Sequence, residues 1–432
     1  MLQRFKHITE TIKSKKPAVG PKEQYIVGLD IGTEYVKALI AKVVNQNQLQ
    51  IVGVGRAHQA LTDMQAGAIS DIAAVVSNCD EALNQAEQQS GVSARTAVIG
   101  IAGELVKGTT TTVRCNRKNP NKPLDIAEVE QIINLVQERA EIKAKQQLAW
   151  ELGGKSVEIR LVNSALVSID IDGYVVTNPV GFQGKEVVVQ LYTAFAPLVH
   201  IGALERTAQE LDLDLLAVAA EPFAVARSVI GDDPNANISA ILMDVGGGTT
   251  DIAVINEGGV QGTKMFGIGG RAFTKAIERE VDVDFAKAEK IKIDLSEGKV
   301  TPSMAKNVDV ALKKTIDVWE SGVELALAEF NKLDHLPNLL LLCGGGSSLG
   351  MMMDELENSE WYRELPFTRK PKVQHIHPEQ VVGITDTTGL VNDHTYITAM
   401  GLLRVGMDTM LQQTSQDVVG SVRQKLDRML KT

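Results

Sequence analysis

From Tyr25 to Val44 apolar residues alternate with polar ones and crowd together as they do in β-strands, and a second strand pair is expected around Leu49 to Ala57. The period then changes. Ile72, Val75, Val76, Cys79, Leu83 and Ala86 recur at helical spacing, which predicts a helix over Asp71 to Gln89 with Asp71 near its start. Thr96 to Ala102 reads as a short buried strand. Residues 1–24 form a basic leader closed by Pro17, Gly20 and Pro21, so the folded body is expected to begin near Tyr25.

The texture changes again over 103–186. A Thr-rich strand ending near Arg114 leads to a polar loop from Asn116 to Pro123, and Asp125 with Glu128 makes a capping-box-like start to a long helix reaching Trp150. Two alternating segments follow, Ser156 to Val162 and Ala165 to Ile171, with Asp172-Gly173 as a hairpin turn. Together these predict an inserted β-α-β-β module. Beyond it come a helix from Leu198 to Leu211, hairpins over Ala240 to Phe266, helices after Gly270 and a strand from Asn338 to Cys343, the alternation of an α/β protein.

One internal echo stands out. Asp30-Ile-Gly-Thr33 and Asp244-Val-Gly-Gly-Gly-Thr249 each end a buried strand and open a hairpin, about half the chain length apart. Two similar halves, each presenting a glycine hairpin, would face each other across a cleft. Gly32 leaves amides bare to cradle phosphate, and Asp30 just before it can hold Mg²⁺ through water, although such a turn taken alone also reads as a plain hairpin. Gly246, Gly247 and Gly248 weaken a strand pair unless something must approach the backbone closely; a flexible bulge is the alternative. Leu339 to Cys343 breaks into Gly344, Gly345, Gly346, Ser347 and Ser348 before an expected helix from Ser348, where a nucleoside could lie against the main chain near a helix N-terminus. Gly267 to Gly270, which includes Gly269, is a fourth turn of this kind.

Composition narrows the field. With 432 residues, two or more packed units are expected. A net charge of −10 and only 4 % aromatic residues argue against nucleic acid, which needs a basic face and stacking platforms. Three scattered cysteines, Cys79, Cys115 and Cys343, suit reduced thiols in a cytosol, no CxxC or HxxxH spacing suggests zinc, and no apolar stretch has the length of a membrane span or the form of a signal peptide.

The order of the glycine turns resembles the phosphate-1, phosphate-2 and adenosine motifs of the actin, sugar-kinase and DnaK-type ATPase superfamily, over nearly the whole body. That resemblance implies a duplicated actin-like (ribonuclease-H-like) fold with two lobes around a nucleotide cleft, and ATP with Mg²⁺ as cofactors. It implies that Asp30 and Asp244 organise the metal, that Gly32, Thr33, Gly246, Gly247, Gly248 and Thr249 grip the phosphates together with the Gly269-Gly270 turn, and that Gly344 to Ser347 line the nucleoside pocket. Ala220 to Ala224 is similar to the first connecting motif, so Glu221 would orient the attacking water; as bare sequence Glu221 also reads as an ordinary helix-start acid beside Pro222. Ala288 to Lys292 resembles the segment over the adenine, making Glu289 and Lys292 candidate contacts, whereas their spacing alone reads as a solvated helix face.

Within the superfamily, Val52-Gly-Val-Gly55, Asn178 to Gly184 and Thr398 to Leu402 resemble the bacterial cell-division actin homologues of the FtsA family, as does the place of the inserted module. The implied organisation is subdomain 1A over 25–102 and 187–230, a 1C-like module over 103–186, subdomain 2A over 231–266 and 336–390, subdomain 2B over 267–335, a return to 1A over 391–411 and a tail over 412–432. Two departures are visible: the leader is long, and Glu34-Tyr35 replaces the small residue and lysine usual after the first Gly-Thr, with Lys37 arriving later.

In the tail, Val418, Val419, Val422, Leu426, Met429 and Leu430 fall on one helical face, flanked by Arg423, Lys425, Arg428 and Lys431. This pattern fits a helix lying on an anionic membrane surface, each basic residue contributing roughly 1 kcal/mol, and equally a helix packed on the body or a partner. The leader offers a similar choice between a disordered basic tail and a second membrane contact. The FtsA resemblance implies an ATP-binding protein that forms filaments with itself, recruits the tubulin-like FtsZ through its C-terminal peptide, meets other division proteins through the inserted module, turns ATP over slowly, and sits on the cytoplasmic face of the membrane. The rival expectations are a PilM-like pilus-assembly adaptor binding a short cytosolic peptide and a sugar or acetate kinase, for which no second-substrate base stands out; a DnaK-type chaperone is not expected, because little chain follows the nucleotide-binding body.

Overall fold

The computed structural model describes residues 23–230 and 238–417. The leader before Glu23 and the membrane-tail residues Val418, Val419, Val422, Arg423, Lys425, Leu426, Met429 and Leu430 lie outside the described residues. In chain order the elements are β1 (Tyr25–Ile31), β2 (Tyr35–Asn45), β3 (Gln48–His58), the small hairpin β4 (Met64–Gln65) and β5 (Ala68–Ile69), α1 (Ile72–Ser90), β6 (Thr96–Ile101), β7 (Lys107–Asn116), α2 (Ile126–Glu151), β8 (Ile159–Ile171), β9 (Tyr174–Val175), β10 (Glu186–Pro197), α3 (Leu198–Glu210), β11 (Asp214–Ala220) and α4 (Glu221–Ile230). They continue as β12 (Ala240–Val245), β13 (Thr250–Asn256), β14 (Gly259–Phe266), α5 (Gly270–Val281), α6 (Phe285–Ser296), α7 (Pro302–Ala328), β15 (Leu339–Cys343), α8 (Gly350–Asn358), β16 (Lys372–His375), β17 (Ile384–Asp386) and α9 (Ile397–Asp417).

Two sheets carry the two lobes. The first has the order β11-β6-β1-β2-β3-β17; the second runs β16-β15-β12-β13-β14 and continues into the inserted module as β7-β10-β8-β9. Each lobe centres on a glycine hairpin, β1–β2 in the first and β12–β13 in the second. Strand β12 is buried on both sides, and its alternation divides two cores: Ala240 and Leu242 face the helices between the lobes, while Ile241, Met243 and Val245 face α5, α7 and α8. Helices α4 and α9 form the layer between the lobes, and Gly401 lets them touch, because a Cβ there would lie 2.4 Å from the Ala224 carbonyl.

The helix expected after Asp71 starts where its cap places it: the Asp71 side chain accepts from the Ala74 amide, and Gly91, with φ +67°, ends it in the left-handed conformation. Asp125 likewise caps α2 by accepting from the Glu128 amide. Five expectations change. Leu49 to Ala57 is one strand, β3, rather than a pair, because it pairs along its length with β2. Ser156 to Val162 and Ala165 to Ile171 are not two strands but one, β8, kept continuous by irregularities in its pairing with β10; the Asp172-Gly173 turn (φ +51° and +88°) leads to the short β9. Strand β10 belongs to the module's sheet, which therefore extends to Pro197, and β17 rejoins the first sheet beside β3 before residue 391. Gly345–Ser348 is a 3₁₀ turn, with α8 beginning at Gly350.

The Val52-Gly-Val-Gly55 sequence has a packing reason. α1 crosses β3 so closely that a Cβ on Gly53 would lie 2.3 Å from the Ala86 carbonyl, and one on Gly55 would lie 1.8 Å from that of Ala82. Backbone carbonyls cannot step aside as a side chain can, so Gly55→Ala is expected to destabilise the fold by about 1–3 kcal/mol, read as a lower urea midpoint at unchanged slope.

Candidate functional site

The two hairpins are equivalent in register. Asp30 stands directly opposite Lys37 across β1–β2, and Asp244 directly opposite Asp251 across β12–β13, with the same spacing in both. Facing residues of an antiparallel pair project on the same side, so each hairpin sends two charged groups into the space between the lobes. That space is a cavity of about 540 Å³. A larger one, about 1660 Å³, lies between the inserted module and β14, but the carboxylates and glycine turns converge on the smaller.

Asp30, Gly32, Thr33, Glu221, Asp244, Gly246, Gly247, Thr249, Gly270, Glu289, Lys292, Gly344, Gly345 and Gly346 line the smaller cavity, and so do Lys37, Arg56, Asp251, Arg271 and Thr398. Gly248 packs against the Thr33 side chain, Gly269 against the carbonyl of Gly246, and the fully buried Ser347 donates its hydroxyl to the Gly344 carbonyl; Ser348 faces the cavity instead. Glu289 and Lys292 sit on the cleft side of α6, paired at 2.7 Å, with Lys292 Nζ also donating to Thr274 Oγ1 at 2.9 Å and the Gly270 carbonyl at 3.2 Å.

The glycines bring the backbone close. Gly344 has φ +81°, and a Cβ on it would lie 2.0 Å from Asp244 Oδ1, so the turn after β15 lies directly against the metal-candidate carboxylate. Gly270 and Arg271 donate their amides to the carbonyls of Gly246 and Gly247 at 2.9 and 2.8 Å, fastening the start of α5 to the second hairpin. Thr398, in α9, donates to Asp244 Oδ2 and orients it.

Charge is strongly unbalanced here. Asp30, Glu221, Asp244 and Asp251 are all buried, against one cation at the centre, Lys37, whose Nζ lies 2.9 Å from Asp30 Oδ2. Burial works against the charged ammonium, but attraction to Asp30 and Asp244 outweighs it and holds the Lys37 pKa above its ordinary value. Burial first, and then repulsion from Asp30, Asp251 and Asp244, drives the Glu221 carboxyl well above the usual carboxylate range. Burial and the nearby Asp244 do the same to Asp251, and burial raises Asp244 despite the Thr398 hydroxyl.

Asp251 accepts from Thr249 through Oδ2 at 3.0 Å, while Oδ1 is buried with no partner. An orphaned carboxylate oxygen among four carboxyls fits a divalent cation. No three carboxylate, histidine or cysteine side chains among the described residues converge at ligand distance, so Mg²⁺ would be held largely through its waters and a bound phosphate. Lys37, Arg56, Asp251, Arg271 and Thr398 were not assigned to the site from sequence, although Lys37 and Thr398 were noted there for other reasons. For Lys37, Arg56 and Asp251 the signal was present: counting across each hairpin puts Lys37 and Asp251 opposite the two motif aspartates, and Arg56 opposite Lys37 on β3.

Two lobes, each built on a glycine hairpin, with helices between them and carboxylates meeting in the cleft, define an actin-like ATPase fold. The structure aligns with the "PilM-PilN type IV pilus biogenesis complex" at a TM-score of 0.63 and 16 % identity, over 88 % of this chain and 98 % of that one, a likeness of fold alone. The family model "Cell division protein FtsA" matches residues 241–401. The FtsA of Pseudomonas aeruginosa is 27 % identical over 92 % of both chains, and that of Bacillus subtilis is 25 % identical over 62 % of this chain and 57 % of its own. The chain is thus similar in sequence to FtsA over most of its length.

Linkage gives the cleft a testable sign. A carboxyl whose folded pKa lies above its unfolded one binds its proton more tightly when folded, so it costs no stability below the unfolded pKa and destabilises increasingly as pH rises toward the folded one. Asp251→Asn is therefore expected to raise the melting temperature of the ligand-free protein at pH 8 and leave it little changed at pH 4. It is also expected to reduce the rise in melting temperature that added Mg²⁺ produces, which differential scanning fluorimetry with and without the metal checks.

Proposed function

We propose that this chain is an ATP-binding, actin-like cell-division protein that polymerises and tethers FtsZ filaments to the inner face of the cytoplasmic membrane. The observation that carries the nucleotide reading is the pair of register-matched hairpins, Asp30 with Lys37 and Asp244 with Asp251, presenting charge to one cavity from opposite lobes. The Gly32 and Gly246 amides are held inside their own hairpins by the Tyr35 and Thr249 carbonyls, at 3.1 and 2.9 Å, rather than left bare as expected; the amides of Thr33 and Gly247 would take phosphate oxygens, and Lys37 would offset their charge. Gly344 to Gly346 would lie under the nucleoside, with Glu289 and Lys292 on its far side. Asp30, Asp244 and Asp251 would hold the waters of Mg²⁺, which would supply charge neutralisation to a bound phosphate chain.

Glu221 is the first residue of α4, and its carboxyl lies so close to the Gly100 backbone that a Cβ there would be 2.7 Å from Oε1. With its pKa raised by burial and by three neighbouring carboxylates, Glu221 is suited to orient water and accept its proton. Turnover is expected to be slow, with nucleotide acting mainly on conformation and assembly.

The cell-division part of the reading rests on FtsA homology over most of the chain, and the membrane part on the apolar face and basic flank of the tail. No helix among the described residues is long and apolar enough to cross a membrane, so attachment would be peripheral and, copy by copy, reversible; a filament would make it firm by presenting many tails at once. The inserted module would meet neighbouring subunits and other division proteins.

Calorimetry with MgATP is expected to give saturable uptake that Asp244→Ala weakens at least tenfold; no uptake by the unaltered protein would end the nucleotide reading. Full-length chain should co-sediment with anionic liposomes, and a chain lacking residues 412–432 should not. Immobilised FtsZ C-terminal peptide should retain the protein, whereas retention only by a cytosolic peptide of a pilus membrane protein would move the assignment to a PilM-like adaptor.

A further inference from the structure

Arg271 is the second residue of α5 and belongs to the second lobe, where its amide is fixed to the Gly247 carbonyl of the β12–β13 hairpin. Its guanidinium reaches the other lobe. Nε donates to Glu34 Oε2 at 2.7 Å and Nη2 to the Thr33 carbonyl at 2.6 Å, so one side chain grips both the turn of the β1–β2 hairpin and the carboxylate at its tip. The pair is well shielded, with the Arg271 and Glu34 side chains only 11 % and 17 % exposed. Glu34 in turn is held by His58, whose Nε2 lies 2.9 Å from Oε1, and Gln59 fixes the same turn through the Gly32 carbonyl. One arginine thus ties the two glycine hairpins together, backbone to one and side chain to the other.

Both Glu34 and Arg271 line the cavity, so the tie stands at its rim. Parting the hairpins around a seated phosphate chain breaks a charge-assisted, two-pronged contact that water replaces poorly at such low exposure. Resting on the nucleotide reading above, we infer that Arg271 and Glu34 form a clasp between the lobes that gates passage of a nucleoside triphosphate into and out of the cleft. Arg271 is then a positioning residue, acting through the two hairpins. A residue that bound phosphate directly would, when lost, speed release and weaken affinity in proportion; a gate, when lost, speeds entry and release together and changes affinity less.

The test is stopped-flow binding of MgATP carrying a fluorescent ribose tag to the full-length chain and to Arg271→Ala, Arg271→Lys, Glu34→Ala and the Arg271→Ala/Glu34→Ala double variant. Arg271→Ala is expected to raise both rate constants about tenfold while the equilibrium constant moves by less than about threefold. Arg271→Lys should fall between, since an ammonium cannot span carboxylate and carbonyl in the same fork geometry. The double variant should release nucleotide no faster than Arg271→Ala, because both changes undo one contact. Without nucleotide, amide hydrogen exchange over residues 31–36 should be faster in Arg271→Ala than in the unaltered protein.

If the unaltered protein binds and Arg271→Ala leaves both rates and exchange unchanged, the clasp is refuted and the nucleotide reading stands. Faster release at an unchanged entry rate, with affinity lost in proportion, would make Arg271 a phosphate contact and overturn the gate. Additive acceleration in the double variant would do the same. Should Arg271→Ala fail to fold, Arg271→Lys and Glu34→Ala carry the same rate comparison. Failure of the unaltered protein to bind the probe at all would instead remove the reading on which the clasp rests.

Discussion

Four buried carboxylates meet at the seam between two lobes with a single lysine among them, and most of the local construction serves to hold that arrangement in place. Asp30 and Asp244 arrive at the ends of strands buried on both faces, and the hairpin register decides that Lys37 faces one and Asp251 the other. Burial first, and then repulsion among the carboxyls, raises the pKa values of Glu221, Asp244 and Asp251. A cluster of this kind carries an excess of negative charge that a divalent cation would offset. The orphaned Asp251 oxygen is the sharpest sign of that imbalance.

Holding the seam requires close approach of main chain to main chain, which explains the glycines better than flexibility does. Gly344 passes within reach of Asp244, Gly269 nests on the Gly246 carbonyl, and Gly401 allows α9 to lie on α4. The family-like sequences thereby acquire separate physical duties. In the Thr398 to Leu402 segment, one hydroxyl orients a cleft carboxylate and one missing side chain permits a helix crossing.

The lobes contact each other in two ways that differ in kind. Behind the cleft, α4 packs against both sheets and α9 against α4 and the first sheet in one continuous apolar core, which resists separation and suits a hinge. At the rim, the contact is polar, made by Arg271, Glu34 and the Thr33 carbonyl. Apolar packing is insensitive to a charged ligand, whereas a rim of ions is not, so a response to nucleotide is to be sought at the rim. The inserted module joins the second lobe's sheet by a short pairing of Gly108 and Thr109 with Thr263 and Gly262, which places the module next to strands that run directly to the cleft. The likeness to FtsA is one of sequence over most of the chain, whereas the likeness to the PilM-PilN complex is one of fold alone.

Local patterns were sufficient for much of this. Strand and helix periods, the caps at Asp71 and Asp125, and the repeated strand-glycine turn identified a two-lobed α/β protein, because each depends on neighbours within a few residues. What lay beyond reach depended on partners distant in sequence. Whether residues 156–171 made one strand or two was decided by pairing with β10, and the extent of the inserted module by β10's other edge on β7. Glu289 and Lys292 looked like a solvated face until α6 was set beside the cleft, and Arg271 gained its significance only when α5 met Glu34 from the other lobe. Sequence alone determined where most strands, helices and glycine turns fall; the tertiary fold alone decided how those strands pair and which charges share a cavity, since Coulomb interaction and burial follow distance in space and not position along the chain.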